Sequence, residues 1–243
     1  MYSIFRSFIL VIFMLVTTSS LTSAESLTDT VDLFATGDLT QCRAPLGDWV
    51  MAGDVSLAPD DDKRLGWTEG NAVAVNGDKG KTDDLHSAAE HGDVQLHVEF
   101  AVAKGSNSGI YLMSRYEIQV LDSWGKTELK YSDCGGIYEQ TGKDGAPSFG
   151  GVAPKLNASK QPGEWQSFDI TFRAPRFDDN GKKIKDALFE KVVLNGQIIH
   201  ENEPVTGPTR SGTFTDEKPT GPLMFQGDHG PVAYRNVRME PLK

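Results

Sequence analysis

The sequence predicts an all-β fold built as a two-sheet sandwich, and three observations carry that prediction. Short runs with a period of two recur along the chain: Val94, Leu96, Val98 and Phe100 alternate with Gln95, His97, Glu99 and Ala101, and Phe168, Ile170 and Phe172 alternate with Asp169, Thr171 and Arg173. Alternate residues of a strand point to opposite faces, so each run has one apolar and one polar side. Asn195-Gly196 between two apolar runs is a strong hairpin signal, because a type I′ turn needs positive φ at both central positions. No βαβ rhythm and no amphipathic segment of helical length competes, a turn at 83–90 being the one exception.

In chain order the strand-like runs are 49–50, 72–75, 94–102, 110–113, 116–121, 166–173, 189–194, 197–200, 223–225 and 232–239, most of them separated by turn residues. The segment 178–183, rich in Asp, Asn, Gly and Lys, reads as an exposed loop within one domain. No repeat or low-complexity tract divides the chain, and residues 25–243 are expected to form a single domain.

The first 24 residues read as a secretory leader: Arg6, an apolar run over 8–16, and the small residues Thr22-Ser23-Ala24 before Glu25. That run is shorter than the roughly 20 apolar residues a membrane span takes. The expectation is an exported protein, periplasmic or secreted, with no membrane contact once the leader is removed. The formal charge of the chain is −10, and losing Arg6 with the leader makes it one unit more negative. This balance argues against nucleic acid or anionic lipid and suits a neutral ligand. Cys42 and Cys134 are the only cysteines, and export with an even count predicts a disulfide between them, two separate thiols being the alternative.

Residues 106–121 read as two strands meeting at a turn, with Arg115, Glu117 and Gln119 on one face and Tyr116, Ile118 and Val120 on the other. The polar set forms a hydrogen-bonding platform of the kind a sugar groove needs. Glu99 shares that platform if its strand borders the strand of Glu117, and close carboxylates then tune one another's proton affinity; the alternative is an Arg115–Glu99 surface pair. His229, in the turn Asp228-His229-Gly230, is suited to proton transfer near neutral pH. Asn107 and Gln226 offer side-chain amides. Trp67 and Trp124 lie in loop-like settings suited to stacking on a pyranose, whereas Trp165 reads as a packing residue. Asp60-Asp61-Asp62 has oxygen ligands for a cation but equally reads as a solvated loop.

Several segments together resemble one bacterial family: Asn107-Ser108-Gly109-Ile110, residues 116–122, Asn157-Ala158-Ser159-Lys160, Pro162-Gly163-Glu164-Trp165, Leu194-Asn195-Gly196, residues 226–230 and Arg235-Asn236-Val237-Arg238. In order and spacing the chain, from about Leu33 to Leu242, resembles the 3-keto-disaccharide hydrolases, also described as 3-keto-glycoside hydrolases or lyases. The resemblance implies a jelly-roll β-sandwich of the concanavalin A-like lectin/glucanase type. It also implies cleavage of a 3-keto-glycoside: a base removes the acidified C2 hydrogen, the group at C1 leaves, and water adds to the enone. On that basis Glu117 is the first candidate for base and Glu99 the second, with His229 as acid or enolate stabiliser. Arg115, or a bound divalent cation, would balance the oxyanion, while Asn107, Gln119, Asp122, Gln226 and Trp124 would hold the sugar. No organic cofactor is implied, and an upstream sugar 3-dehydrogenase would supply the substrate.

Two rival functions stay open. Glu117, Gln119 and Asp122 resemble the Glu-x-Asp-x-x-Glu pattern of laminarinase-like retaining glycosidases, although Gln holds the middle place and a regular strand puts Glu117 and Asp122 on opposite faces. A non-catalytic carbohydrate-binding, lectin-like module would keep the groove and need no tuned acid.

Overall fold

A computed structural model of the chain describes residues 27–242; the leader expected at 1–24 lies outside the described residues. The first nine strands are β1 (Val31–Asp32), β2 (Val50–Ala52), β3 (Val55–Ala58), β4 (Asp61–Trp67), β5 (Val73–Val75), β6 (Leu85–His91), β7 (Val94–Val102), β8 (Asn107–Leu112) and β9 (Tyr116–Leu121). The chain continues through β10 (Gln166–Arg173), β11 (Arg176–Phe177), β12 (Lys183–Lys185), β13 (Ala187–Leu194), β14 (Gln197–Val205), β15 (Gly221–Phe225) and β16 (Val232–Pro241).

Two antiparallel sheets form the jelly-roll sandwich. The large sheet runs β14-β13-β10-β7-β16-β5-β2, with β1 also on β16, and the small sheet runs β6-β15-β8-β9. Between them lies a core to which β7 gives Leu96, Val98 and Phe100, β10 gives Phe168 and Ile170, and the small sheet gives Ile110, Ile118, Val120 and Phe225. Phe100 and Phe168 stack with centroids 5.1 Å apart, joining neighbouring strands of the large sheet. Burial of alternate residues on two facing sheets is what the period-two pattern dictates.

The Asn195-Gly196 hairpin forms as expected between β13 and β14, with φ of 50° and 80°. The β8–β9 hairpin turns on Met113 and Ser114, with φ of 54° and 55°, so Asn107-Ser108-Gly109 belongs to strand β8 and not to a turn. The turn expected at 83–90 is strand β6, whose Leu85 and Ser87 are buried. The β3–β4 hairpin was not legible as strands because its Asp60–Asp62 run looks like a loop. It covers the outer face of the large sheet, where Val55 and Leu65 pack on Val73, Val75, Ala101 and Ala233 in a second, smaller core. Trp67 and Trp165 pack against this cluster, which makes Trp67 a packing residue and not a free stacking platform. Segment 178–183 joins the short ribbon β11–β12 and is mostly exposed, as expected of a surface insert.

The predicted disulfide does not form: both cysteines are free. Cys42 pairs with Ser87 of β6, while Cys134 adjoins Gly135, whose N–H bonds to Gln119 of β9. Strands β6 and β9 are opposite edges of the small sheet, about 14 Å apart at the usual strand spacing, and a disulfide needs Cα atoms within about 7 Å.

Candidate active site

In-register neighbours of an antiparallel sheet present their side chains on the same face. Across the small sheet, His86 pairs with Met224, Met224 with Tyr111, and Tyr111 with Glu117. Tyr138 extends the row, donating its N–H to the Glu117 carbonyl. The alternate row, Leu85, Phe225, Ile110 and Ile118, is in the core, so the His86-to-Tyr138 row lies on the outer face. One step along, the outer face carries Asp84, Gln226, Gly109 and Gln119; Gln119 pairs with Gly109, whose carbonyl accepts the Gln226 N–H.

Glu117 is the centre of this face. Only 2 % of it is exposed, and none of the described basic side chains forms an ion pair with it. Its carboxyl leans over β8: a Cβ on Gly109 would lie 2.3 Å from Glu117 Oε1, so the missing side chain is what makes room for it. Burial pushes its pKa up to about 8; the neighbouring Tyr111 hydroxyl lowers it in part and the charge of Asp84 raises it again. The Tyr111 hydroxyl is itself buried and makes no complete hydrogen bond among the described residues. Asp84 is half-buried just before β6, and its Oδ1 accepts the Gly227 N–H at 2.9 Å. Burial raises its pKa against that hydrogen bond, with Asp228 adding to the rise.

Two loops wall the face. At the β8–β9 turn, Thr209 Oγ1 accepts the Glu117 N–H and donates to the Arg115 carbonyl, each at 3.0 Å. Thr213 Oγ1 in the same loop lies 2.9 Å from His86 Nε2. Arg115 is the clamp of this wall. Its guanidinium donates to the Asp216 carbonyl and carboxylate and to the Met113 carbonyl, and packs on Phe214 at 4.6 Å. With all of these partners it is a wall-building residue and not a free cation for an oxyanion.

At the other end, buried Asn76 holds the loop that carries His229. Its amide donates to the carbonyls of Gly227 and Gly230 at 3.0 and 2.8 Å and accepts the Val232 N–H at 2.9 Å. His229 is exposed and contacts the Asp228 carboxylate through Nδ1. Gln119 donates to Asn107 Oδ1 at 2.6 Å. Asp122 lies past the end of β9 and caps a turn, accepting the N–H groups of Gly105 and Trp124 at 2.9 and 3.3 Å. Trp124, 54 % exposed, is free to stack.

The structure therefore brings Glu117, Gln119, Asn107 and Gln226 together on one face, with the His229 loop at its end. Glu99 is not part of it, a correction to the sequence reading. Its strand β7 lies in the large sheet between β10 and β16, where Arg235 Nε donates to its carboxylate at 2.7 Å and Asn236 at 2.9 Å. Its pKa is lowered: the bonds from Asn236 and Arg235 outweigh the opposing effect of burial. Nor is Asp122 a second groove carboxylate of the laminarinase pattern, because β9 is regular and its carboxyl caps the turn. In the Asp60–Asp62 run Asp61 accepts the Lys63 N–H and Asp62 pairs with Lys104; among the described residues no three His, Cys, Asp or Glu side chains converge. Asp84, His86, Tyr111 and Tyr138 escaped the sequence reading; alternation of Asp84 and His86 about Leu85 was the one signal available.

The profile of the 3-keto-alpha-glucoside-1,2-lyase-like domain matches residues 38–240, and the chain belongs to this family. Among solved structures, a protein of Parabacteroides distasonis provisionally assigned as a glycosyl hydrolase is similar at 25 % identity and a TM-score of 0.63, over 88 % of this chain and 84 % of that one. A second protein of that organism with the same assignment matches at 19 % identity and a TM-score of 0.53, over 88 % and 99 % of the two chains, and is similar in fold. No relative among curated protein sequences matches this chain.

Proposed function

We propose that this family member is an exported enzyme that cleaves the glycosidic bond of a 3-keto-glycoside by removing the C2 proton, expelling the C1 substituent and hydrating the product. That it is a glycosyl hydrolase-like, carbohydrate-active protein follows from its family and structural neighbours. The observation that carries the finer reading is Glu117: a buried carboxyl without a cationic partner among the described residues, with its pKa pushed up to about 8, on a polar face lined by amides and hydroxyls. A structural carboxylate is paired or solvated; one held between its two protonation states near neutral pH is suited to moving protons. Elimination beside a ketone needs such groups and no nucleophile. Gln119, Asn107 and Gln226 would hold hydroxyls, and Trp124 would stack on a ring. The leader supports export, and a sugar 3-dehydrogenase upstream would supply the ketone.

The test is incubation of the purified protein with a 3-keto-glucoside and with its unoxidised parent, following sugar release. Cleavage of the ketone alone is expected. Equal cleavage of the parent would turn the reading into an ordinary glycosidase, and binding without cleavage of either would turn it into a lectin-like module.

A further inference from the structure

We propose that Asp84 is the base of this site and that Glu117, in its protonated form, is the acid that assists the leaving oxygen. The assignment rests on the elimination reading above and reverses the role the sequence suggests for Glu117. Its ground is geometric. Asp84 belongs to the β6 edge of the outer face and Glu117 to the β9 edge, with β15 and β8 between them. On the row of Asp84 the neighbouring positions are Gln226, just past β15, and Gly109, over whose Cα the Glu117 carboxyl and the Tyr111 ring lie. Three strand spacings separate β6 from β9, about 14 Å, and Glu117 covers one of them by leaning over Gly109. The remaining gap, which Asp84 narrows by reaching the Gly227 N–H, is about the width of one pyranose ring, so a sugar seated against Asp84 has its leaving oxygen over the small opening of the Glu117 pocket, where 2 % of that residue is exposed.

The two carboxyls differ in setting. Asp84 is half-buried; that burial raises its pKa, and the Gly227 N–H bonded to it opposes the rise by favouring the ionised form. Around it stand His86 on its own strand and Asp228 and His229 on the following loop of β15, with Glu117 across the face; the two histidines favour its charge and Asp228 opposes it. Glu117 is sealed from water and its main cause of perturbation is burial, with Asp84 adding to the rise. When two carboxylates share a site with one proton, that proton resides on the more desolvated group. At neutral pH the pair is therefore Asp84 ionised and Glu117 protonated. The less buried member meets the ring; the more buried one keeps its proton until charge develops on the departing oxygen.

The step balances without a further reactant. Asp84 takes the C2 proton, and the C2–H electrons move to the C3 carbonyl oxygen as an enolate. As the ketone re-forms, the C1–C2 double bond forms and the C1–O bond breaks, its electron pair leaving on oxygen. Glu117 gives that oxygen its proton. The products are the free alcohol and a 1,2-unsaturated 3-keto sugar, with the pair now ionised at Glu117 and protonated at Asp84. Solvent exchange resets it.

Substrates that differ in leaving group test the assignment. Wild type, E117Q and D84N are compared on a 3-keto-disaccharide and on nitrophenyl 3-keto-glucoside, whose phenolate leaves without protonation, and deuterium uptake at C2 is followed in heavy water. The expected result is that E117Q loses roughly 10²–10⁴-fold on the disaccharide, stays within about tenfold of wild type on the nitrophenyl substrate, and still exchanges C2. D84N should lose both cleavages and the exchange; its Oδ1 can still accept the Gly227 N–H. E117Q that neither exchanges C2 nor cleaves the nitrophenyl substrate, while wild type does both, overturns the assignment and returns Glu117 to the role of base. This arm decides even if D84N misfolds. Wild type inert in all three assays removes the elimination reading and the assignment with it.

Discussion

Glu117 and Glu99 occupy equivalent places in two alternating strands, each on the polar side of a run whose other side is core, and the two sheets treat them in opposite ways. On the large sheet, Arg235 and Asn236 reach Glu99 from the neighbouring strand β16, and its pKa falls. On the small sheet, loops close over Glu117, no cation among the described residues answers it, and its pKa rises to about 8. Period-two patterning gives a glutamate its face. The neighbouring strand and the covering loops decide whether it becomes a register pin or a proton-transfer group.

The largest way to break this comparison is activity. E117Q should reduce cleavage of a 3-keto-disaccharide by about 10²–10⁴-fold while glycan binding stays largely intact, and E99Q should leave it within about twofold. Turnover and binding measured on both variants check the contrast; comparable losses would abolish it. A smaller effect sharpens the geometry. G109A places a methyl 2.3 Å from Glu117 Oε1 and 2.7 Å from the buried Tyr111 ring, so both side chains must give way although Gly109 is not at positive φ and its backbone admits Ala. The carboxyl must shift, and a misplacement on the order of 1 Å costs about 10²-fold in rate. Kinetics with a melting curve separate this from loss of fold.

The pH dependence of stability is the third discriminator. Glu117 has its pKa raised in the folded state, from an ordinary 4.5 to about 8, so the folded protein holds a proton that the unfolded chain releases. Stability from this group falls as pH rises between those two values, by a few kcal/mol at most. E117Q should therefore gain stability over wild type from pH 5 to pH 8, a trend denaturant titrations can follow. For Glu99 the sign is opposite: a lowered pKa stabilises above the unfolded value, and that contribution is lost as pH falls. E99Q should destabilise by about 0.2–1 kcal/mol at pH 7 and by less in acid, the smallest effect expected, because the Arg235 pair is partly exposed.

Much of the fold is legible locally. The bounds of β7, β9 and β10 and the Asn195-Gly196 turn follow from alternation and from the φ that turn chemistry requires. The shared face of Glu117 and Gln119 follows in the same way. Strand adjacency does not. That β7 lies between β10 and β16 depends on pairings more than 60 residues apart in sequence, and nothing in residues 94–102 encodes them. Asp84 and His86 were hidden because a mixed polar segment reads as a turn until β15 pairs with it. Arg115 looked like a groove cation because its partner Asp216, 101 residues away, is invisible to any local pattern.

Burial, with the charge of Asp84 adding to it, turns Glu117 into a proton-holding group at neutral pH. The direct measurement is a carbon NMR titration of protein labelled at glutamate carboxyls, with E117Q and E99Q assigning the two resonances. Glu117 should titrate near pH 8 and Glu99 below the ordinary 4.5. A Glu117 inflection at about the ordinary 4.5 would contradict it, and both its role as acid and its contrast with Glu99 would fall together.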